Sequence, residues 1–315
     1  MTSIKDSLQK KHYALLLISS GLLTGVLLAI IFGQITKGPS LSAHPYLAKR
    51  ILVDNPNDVI FNFSNLKKRV NDSLDSKGIS YGFYFEYLPT GTSMKIAENE
   101  VYVGASLIKL PLVMNLYRAQ ELGKLSLSDS ITLQPSWIDK GSGDLWQAGA
   151  GARIPLSEAA NLSLTKSDNT AAWAVRAADH GKLTQEQDVF SVVDIGLAFD
   201  QQGQDYISAK SYSEFLKCLY FSCYLNKADS EEILTMLTQT VFGGIPDGIP
   251  ANVEVAHKVG FYEGNNYSDC GIVYVPKRPY ALCLMMKSTR QQYDSTIKEV
   301  SKIAYEEVTH QNPTR

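Results

Sequence analysis

The sequence carries no basic excess. Lysine and arginine number 30 against 32 acidic residues, the formal net charge is −2, and no basic stripe is visible. Such a balance does not attract nucleic acid, which excludes nucleic acid as a partner. Histidine is scarce too: five residues, scattered, with no close pair. That argues against a Ser-His-Asp triad and against a zinc site. Cys218 and Cys223 have C-x4-C spacing, but no second pair completes a metal site. No metal or organic cofactor is implied. No internal repeat or low-complexity tract stands out. The composition is 44% apolar and 20% charged over 315 residues, enough for one large core or two packed lobes.

Long apolar runs are absent except for one. Tyr13 to Gly33 is uncharged and mostly apolar. At about 1.5 Å per residue, such a run just crosses a hydrocarbon core of ~30 Å. Lys5, Lys10 and Lys11 precede it and Lys37 follows, so the charge bias puts the N-terminus inside and the rest outside. A cleaved signal peptide would have a shorter apolar stretch and a small-x-small site after it. Ile31-Phe32-Gly33-Gln34 is a poor cleavage site, and Ser40-Leu41-Ser42 is the best alternative. The reading is therefore a cytoplasmic segment 1–12, an uncleaved single-pass anchor 13–33, a Pro-containing tether 34–58 and an extracytoplasmic globular domain 59–315, expected to be monomeric.

There are four cysteines, Cys218, Cys223, Cys270 and Cys283. They allow three pairings, and oxidation is open to a domain outside the membrane. The reading favoured here is four small buried hydrophobes.

Helical periodicity marks 65–76, 105–122, 154–166, 170–178, 211–220, 230–237 and 295–308. Strand signals mark 79–87, 93–97, 253–259, 271–275 and 280–286. Strands at both ends with helices between predict an α+β domain: an antiparallel sheet with a helical insert.

Three motifs follow one another through this frame. Ser-x-x-Lys occurs five times, at Ser7, Ser64, Ser106, Ser163 and Ser295, so a lone copy says little. Ser106 stands out because Gly104 and Ala105 precede it and an apolar helix follows. There a side chain meets free backbone N–H groups and the positive helix end. Lys109 lies one turn on and, partly desolvated, can take the serine proton. Ser167-Asp168-Asn169 occurs once; all three residue types also suit a helix cap. Lys258-Val259-Gly260 closes a predicted strand, where a glycine permits close approach of another group.

These motifs and their flanks, Ala105-Ser106-Leu107-Ile108-Lys109-Leu110-Pro111 and Gly244-Ile245-Pro246-Asp247-Gly248 among them, resemble the catalytic signature of class A β-lactamases and penicillin-binding proteins. The resemblance covers roughly 61–308. It implies a β-lactamase/transpeptidase-like fold, a five-stranded sheet flanked by helices plus an all-helical lobe. It implies Ser106 as nucleophile, Lys109 as base and Ser167 as proton relay. Asn169, Lys258, Val259 and Gly260 would bind substrate, Asp168 would anchor its loop, and the N–H groups of Ser106 and Phe261 would form the oxyanion hole. Val259 stands where the family has a hydroxyl residue, so one carboxylate contact is missing. Trp146 and Gly141-Ser142-Gly143-Asp144-Leu145 also resemble the family, as cleft lining or as packing.

One family feature is absent. No Glu-x-x-Leu-Asn segment occurs between Thr170 and Lys210; the acids there are Asp179, Glu186, Asp188, Asp194, Asp200 and Asp205. In the family that glutamate activates the deacylating water. The expectation is therefore a serine hydrolase that opens β-lactams through an acyl-enzyme and deacylates slowly. The alternatives are a penicillin-binding D-Ala-D-Ala-type peptidase acting on peptidoglycan, or a wall- or lactam-binding module that stays acylated.

Overall fold

Leu66, Val70 and Leu74 recur at four-residue spacing and make one wholly buried stripe on helix α1, Ser64–Asp75. Gly78, with φ +62°, turns the chain into strand β1, Ser80–Tyr87. β1 is buried almost throughout because helices cover both of its faces. Strand β2 (Thr92–Ile96) returns beside it. Strands β8 (Val255–Tyr262), β9 (Asn266–Val273) and β10 (Tyr280–Lys287) follow much later in the chain and complete the sheet, in the order β2-β1-β10-β9-β8 with every pair antiparallel. The computed structural model describes residues 45–47, 63–262 and 264–310. Among these, no helix is long and apolar enough to cross a membrane. The anchor expected at 13–33 and the segment 1–12 lie outside the described residues.

The C-terminal helix α8 (Arg290–His310) packs with α1 on one face of the sheet, around Phe83, Phe85, Leu282, Leu284 and Ile297. The other face meets the helices that lie between β2 and β8. These are α2 (Lys109–Glu121), α3 (Leu156–Thr165), α4 (Asn169–Asp179), the short α5 (Val189–Val192), α6 (Ala209–Phe221) and α7 (Lys227–Thr238). α6 lies on β1, β9 and β10, and α7 lies on β8. Leu110, Met114, Leu164, Phe215 and Leu234 are fully buried in this second core. Each such side chain contributes roughly 1.5–3 kcal/mol relative to exposure. The architecture is α+β, as the order of periodic segments predicts.

Two small sheets escaped the sequence reading. Strands β3 (Val101–Val103), β6 (Ala198–Phe199) and β7 (Asp205–Ser208) form one, and β4 (Ser130–Thr132) with β5 (Arg153–Pro155) the other. Strands of two to four residues carry too little alternation to register as a period.

All four cysteines are paired, which corrects the reading of them as free buried hydrophobes. Cys270 and Cys283 face each other in the β9–β10 register, with Cα atoms 3.9 Å apart, and are bonded. Cys218 and Cys223 are bonded across the end of α6, where Ser222 adopts the left-handed conformation (φ +52°). Within the stretch read as a tether, Tyr46 and Leu47 pack against the domain. Tyr46 N donates to Glu231, its hydroxyl to Glu254, and its ring lies 5.1 Å from that of Tyr274; Leu47 is buried in the helical core.

Candidate active site

Ser106 sits in a 3-10 turn, Ala105–Ile108, rather than in the α-helix expected from 105. Ala105 takes φ +46°, which turns the chain sharply off β3; regular α-helix begins at Lys109. Strand β8 presses directly on this turn. A Cβ on Gly260 would lie 2.9 Å from Leu107 Cγ and 3.0 Å from the Gly104 carbonyl oxygen. Glycine is therefore what lets the strand approach the segment bearing the serine. β8 is an edge strand, so one row of its backbone groups has no neighbour in the sheet.

Ser167-Asp168-Asn169 links α3 to α4. Ser167 has φ +53°. Asp168 caps α4 by accepting from Ala171 N (2.9 Å), and its second oxygen accepts from Leu145 N (2.8 Å). Asn169 N donates to the Ser142 carbonyl (3.0 Å). Asp168 crowds Gly143 so closely that a Cβ there would fall 2.1 Å from its carboxylate. The motif's aspartate thus straps the 141–145 loop to the helix start.

Two lysines converge on the same turn. Lys109 Nζ donates to the Ser167 carbonyl (2.5 Å), to Asn169 Oδ1 (2.6 Å) and more weakly to Ser167 Oγ (3.3 Å). Lys258 Nζ donates to Ser167 Oγ (2.9 Å) and to its neighbour's carbonyl on Val259 (3.1 Å). Burial pulls the Lys109 ammonium down to about 8, against the opposing charges of Asp168 and Asp139. Lys258 is fully buried. That burial, and then the charge of Lys109, hold it well below the ordinary lysine value, with Asp269 opposing. Two amines with weakened hold on their protons thus meet at one hydroxyl. Such a group can accept a proton near neutral pH and pass it through the hydroxyl.

The remaining candidates divide. Val259 stands opposite Asp269 in the β8–β9 ladder, on the strand face that also carries His257, and is buried. His257 is turned away from the lysines; its Nδ1 lies 2.8 Å from Asp269 Oδ1, and Asp269 also accepts from Ile245 N (2.7 Å). The Phe261 ring lies under the Arg290 guanidinium (4.5 Å) and edge-on to Phe242 and Tyr293. The Trp146 ring receives the Lys140 ammonium at 5.1 Å.

One residue of the cluster was missed. Asp139 Oδ1 accepts from Asn169 Nδ2 (3.0 Å) and from Gly141 N (2.7 Å). No motif marks it; its only signal in the sequence is its place just before the Gly141-Ser142-Gly143 loop.

Among the acids between Thr170 and Lys210, Asp188 accepts from Asn115, and Asp200 holds its own turn through Gln202 N and Gln204 N. Asp205 comes near the Ser106 segment: Gly104 N donates to its carbonyl, and its Oδ2 lies against Gly104 without a hydrogen-bond partner. Burial raises its carboxyl.

A profile of the β-lactamase enzyme family matches residues 65–308. Among solved structures, PBP-A superposes with a TM-score of 0.71 at 23% identity, over 79% of this chain and 98% of that one. A mutant of PBP-A in acyl-enzyme complex with penicillin G gives 0.70, also at 23%, over 77% and 96%. A β-lactamase from Chitinophaga pinensis gives 0.70 at 20%, over 77% and 99%. A search of curated proteins returns no match. With the family profile spanning most of the chain, this protein belongs to the β-lactamase enzyme family.

Proposed function

We propose that the protein is a serine hydrolase that opens β-lactams through an acyl-enzyme and releases the product slowly. The observation that carries this is the convergence of Lys109 and Lys258 on Ser167 Oγ, with Lys109 opening the helix that follows the Ser106 turn. In the reading, Ser106 Oγ bonds to the lactam carbonyl carbon and its proton passes to the neutral Lys109 amine. The oxyanion is held by the N–H groups of Ser106 and Phe261. The lactam C–N bond then breaks, and Ser167 gives its proton to the departing nitrogen and recovers one from the lysine pair. Asn169 offers its amide to the substrate. Lys258 supplies positive charge for a substrate carboxylate, without the hydroxyl that Val259 lacks.

The second reading is a penicillin-binding peptidase acting on D-Ala-D-Ala ends. It is favoured by the 198–208 hairpin, which is built from two short strands and offers no glutamate. Similarity to a protein crystallised as a penicillin G acyl-enzyme suits both readings. Intact mass spectrometry over time with a penicillin tests them. An adduct that forms on Ser106 and decays over many turnovers supports the first. A persistent adduct, with hydrolysis of a D-Ala-D-Ala peptide, supports the second. No adduct at any time rejects both.

A further inference from the structure

We propose that Asp139 is a positioning residue that fixes the amide of Asn169, and through it the amine of Lys109, for acylation. The inference rests on the acyl-enzyme reading above.

Thr170 clamps the main chain of residue 139. Its hydroxyl accepts from Asp139 N (3.0 Å) and donates to Asp139 O (3.2 Å), and Thr170 itself is fully buried. The carboxylate is thereby held beside Asn169, the next residue along. Its Oδ1 takes Gly141 N and Asn169 Nδ2 together. A carboxylate only accepts and an ammonium only donates. Between Asp139 and Lys109, the Asn169 amide has one workable orientation: NH2 toward Asp139, oxygen toward Lys109. One amide hydrogen remains free for a ligand.

The same chain of contacts steers Lys109. Its three ammonium hydrogens meet the Ser167 carbonyl, Asn169 Oδ1 and Ser167 Oγ. The first two contacts are short and the third is long. When the amine is neutral it has two hydrogens, which suit the two short contacts, and its lone pair is left facing Ser167 Oγ, the hydroxyl through which a proton from Ser106 would reach it. That direction is set only while Asn169 Oδ1 stays in place. The charged groups facing Lys109 are Asp168 from the turn, Asp139 from the loop and Lys258 from β8. Asp139 therefore acts twice, by geometry and by charge. Replacing it by asparagine keeps an acceptor and removes the charge; replacing it by alanine removes both.

The test measures second-order acylation by a fluorescent penicillin from pH 5 to 10 in the wild type, Asp139→Asn and Asp139→Ala. In parallel, NMR of 13C-lysine-labelled free protein follows the Lys109 titration, assigned with Lys109→Arg. Both variants should move the acidic limb and the Lys109 titration to lower pH by about half a unit or more, the effect of one lost charge near an ammonium. Asp139→Asn should keep its high-pH rate within about threefold. Asp139→Ala should lose about tenfold or more of it, the scale of a misplaced catalytic group. Limbs and titrations that superimpose on the wild type overturn the proposal, even if Asp139→Ala is slow, because a packing role alone would do that. If Asp139→Ala fails to fold, Asp139→Asn decides. If the wild type never acylates, the enzymatic reading fails, and the NMR titration still decides what Asp139 does to Lys109.

Discussion

Lys258 Nζ lies 2.9 Å from Ser167 Oγ, joining a buried strand to a turn 91 residues earlier in the chain. The contact spans the boundary between sheet and helical layer. It puts a second amine beside the one that Lys109 brings from α2. Two ammonium groups at one hydroxyl repel each other, so the pair sheds a proton more readily than either lysine alone.

The first consequence is a pH profile. Lys109 can accept the Ser106 proton only when neutral, and its ammonium titrates at about 8. Acylation should therefore rise as pH rises through about 8 and level above it, falling about tenfold per unit well below. Lys109→Ala and Ser167→Ala should slow acylation by about 10²–10⁴-fold. Lys109→Arg should fail equally, because arginine stays protonated. Stopped-flow acylation across pH checks this, and a pH-independent rate would remove Lys109 from the base role.

Labelling should be confined to Ser106. Of the other Ser-x-x-Lys serines, Ser163 is buried inside α3 and Ser295 lies on the surface of α8 near its start. Peptide mapping after a fluorescent penicillin should find one adduct, and Ser106→Ala should abolish it. An adduct on Ser64, Ser163 or Ser295 contradicts the assignment.

Gly260→Ala tests the strand's approach. The new methyl would meet Leu107 and the Gly104 carbonyl at 2.9 and 3.0 Å, and the carbonyl cannot rotate away. Overpacking of this kind costs about 1–3 kcal/mol and pushes β8 off the Ser106 turn. Urea unfolding should show the loss, with acylation reduced by more than stability alone explains. A variant of wild-type stability and rate would show that the turn yields freely.

How much of this was legible beforehand depends on range. Lys109, Ser167, Asn169 and Lys258 are legible as parts of three short motifs read with their flanks, and their side chains meet in the structure. The five main strands and the long helices show because their periods run for two turns or more. Asp139 does not show, since its role depends on Thr170 and Gly141 folding back on it. The 3-10 turn at Ser106 comes from Ala105 at positive φ, which alanine rarely adopts and no propensity predicts. The disulfides follow from strand register and from the turn after α6, which spacing alone leaves open.

The anchor reading is tested on cells. If 13–33 spans the membrane with its lysines inside, protease applied to intact cells should release a catalytic fragment beginning beyond about Gly38. Because Tyr46 is hydrogen-bonded to Glu231 and Glu254, the cut is expected before Pro45 rather than within 45–47. A domain protected from protease, or secreted with its N-terminus near Ala43, contradicts the reading.

Slow deacylation is the last and most discriminating expectation. A positioned water-activating base contributes about 10²–10⁴-fold, or roughly 3–5 kcal/mol of barrier. No glutamate occupies the 198–208 hairpin, Asp200 is engaged in its own turn, and Asp205 rests against Gly104. A chromogenic cephalosporin should therefore give a burst near one equivalent, then a slow steady state. Asp194→Asn and Asp200→Asn should leave both phases unchanged. Asp205→Asn is the sharper variant, because that carboxyl is raised by burial and has one oxygen without a partner. With Asp205 only packing, the substitution should change the slow phase by less than about threefold, well below the loss of a general base. Burst-free, fast turnover that collapses in Asp205→Asn would make Asp205 the deacylating base and the protein an efficient β-lactamase.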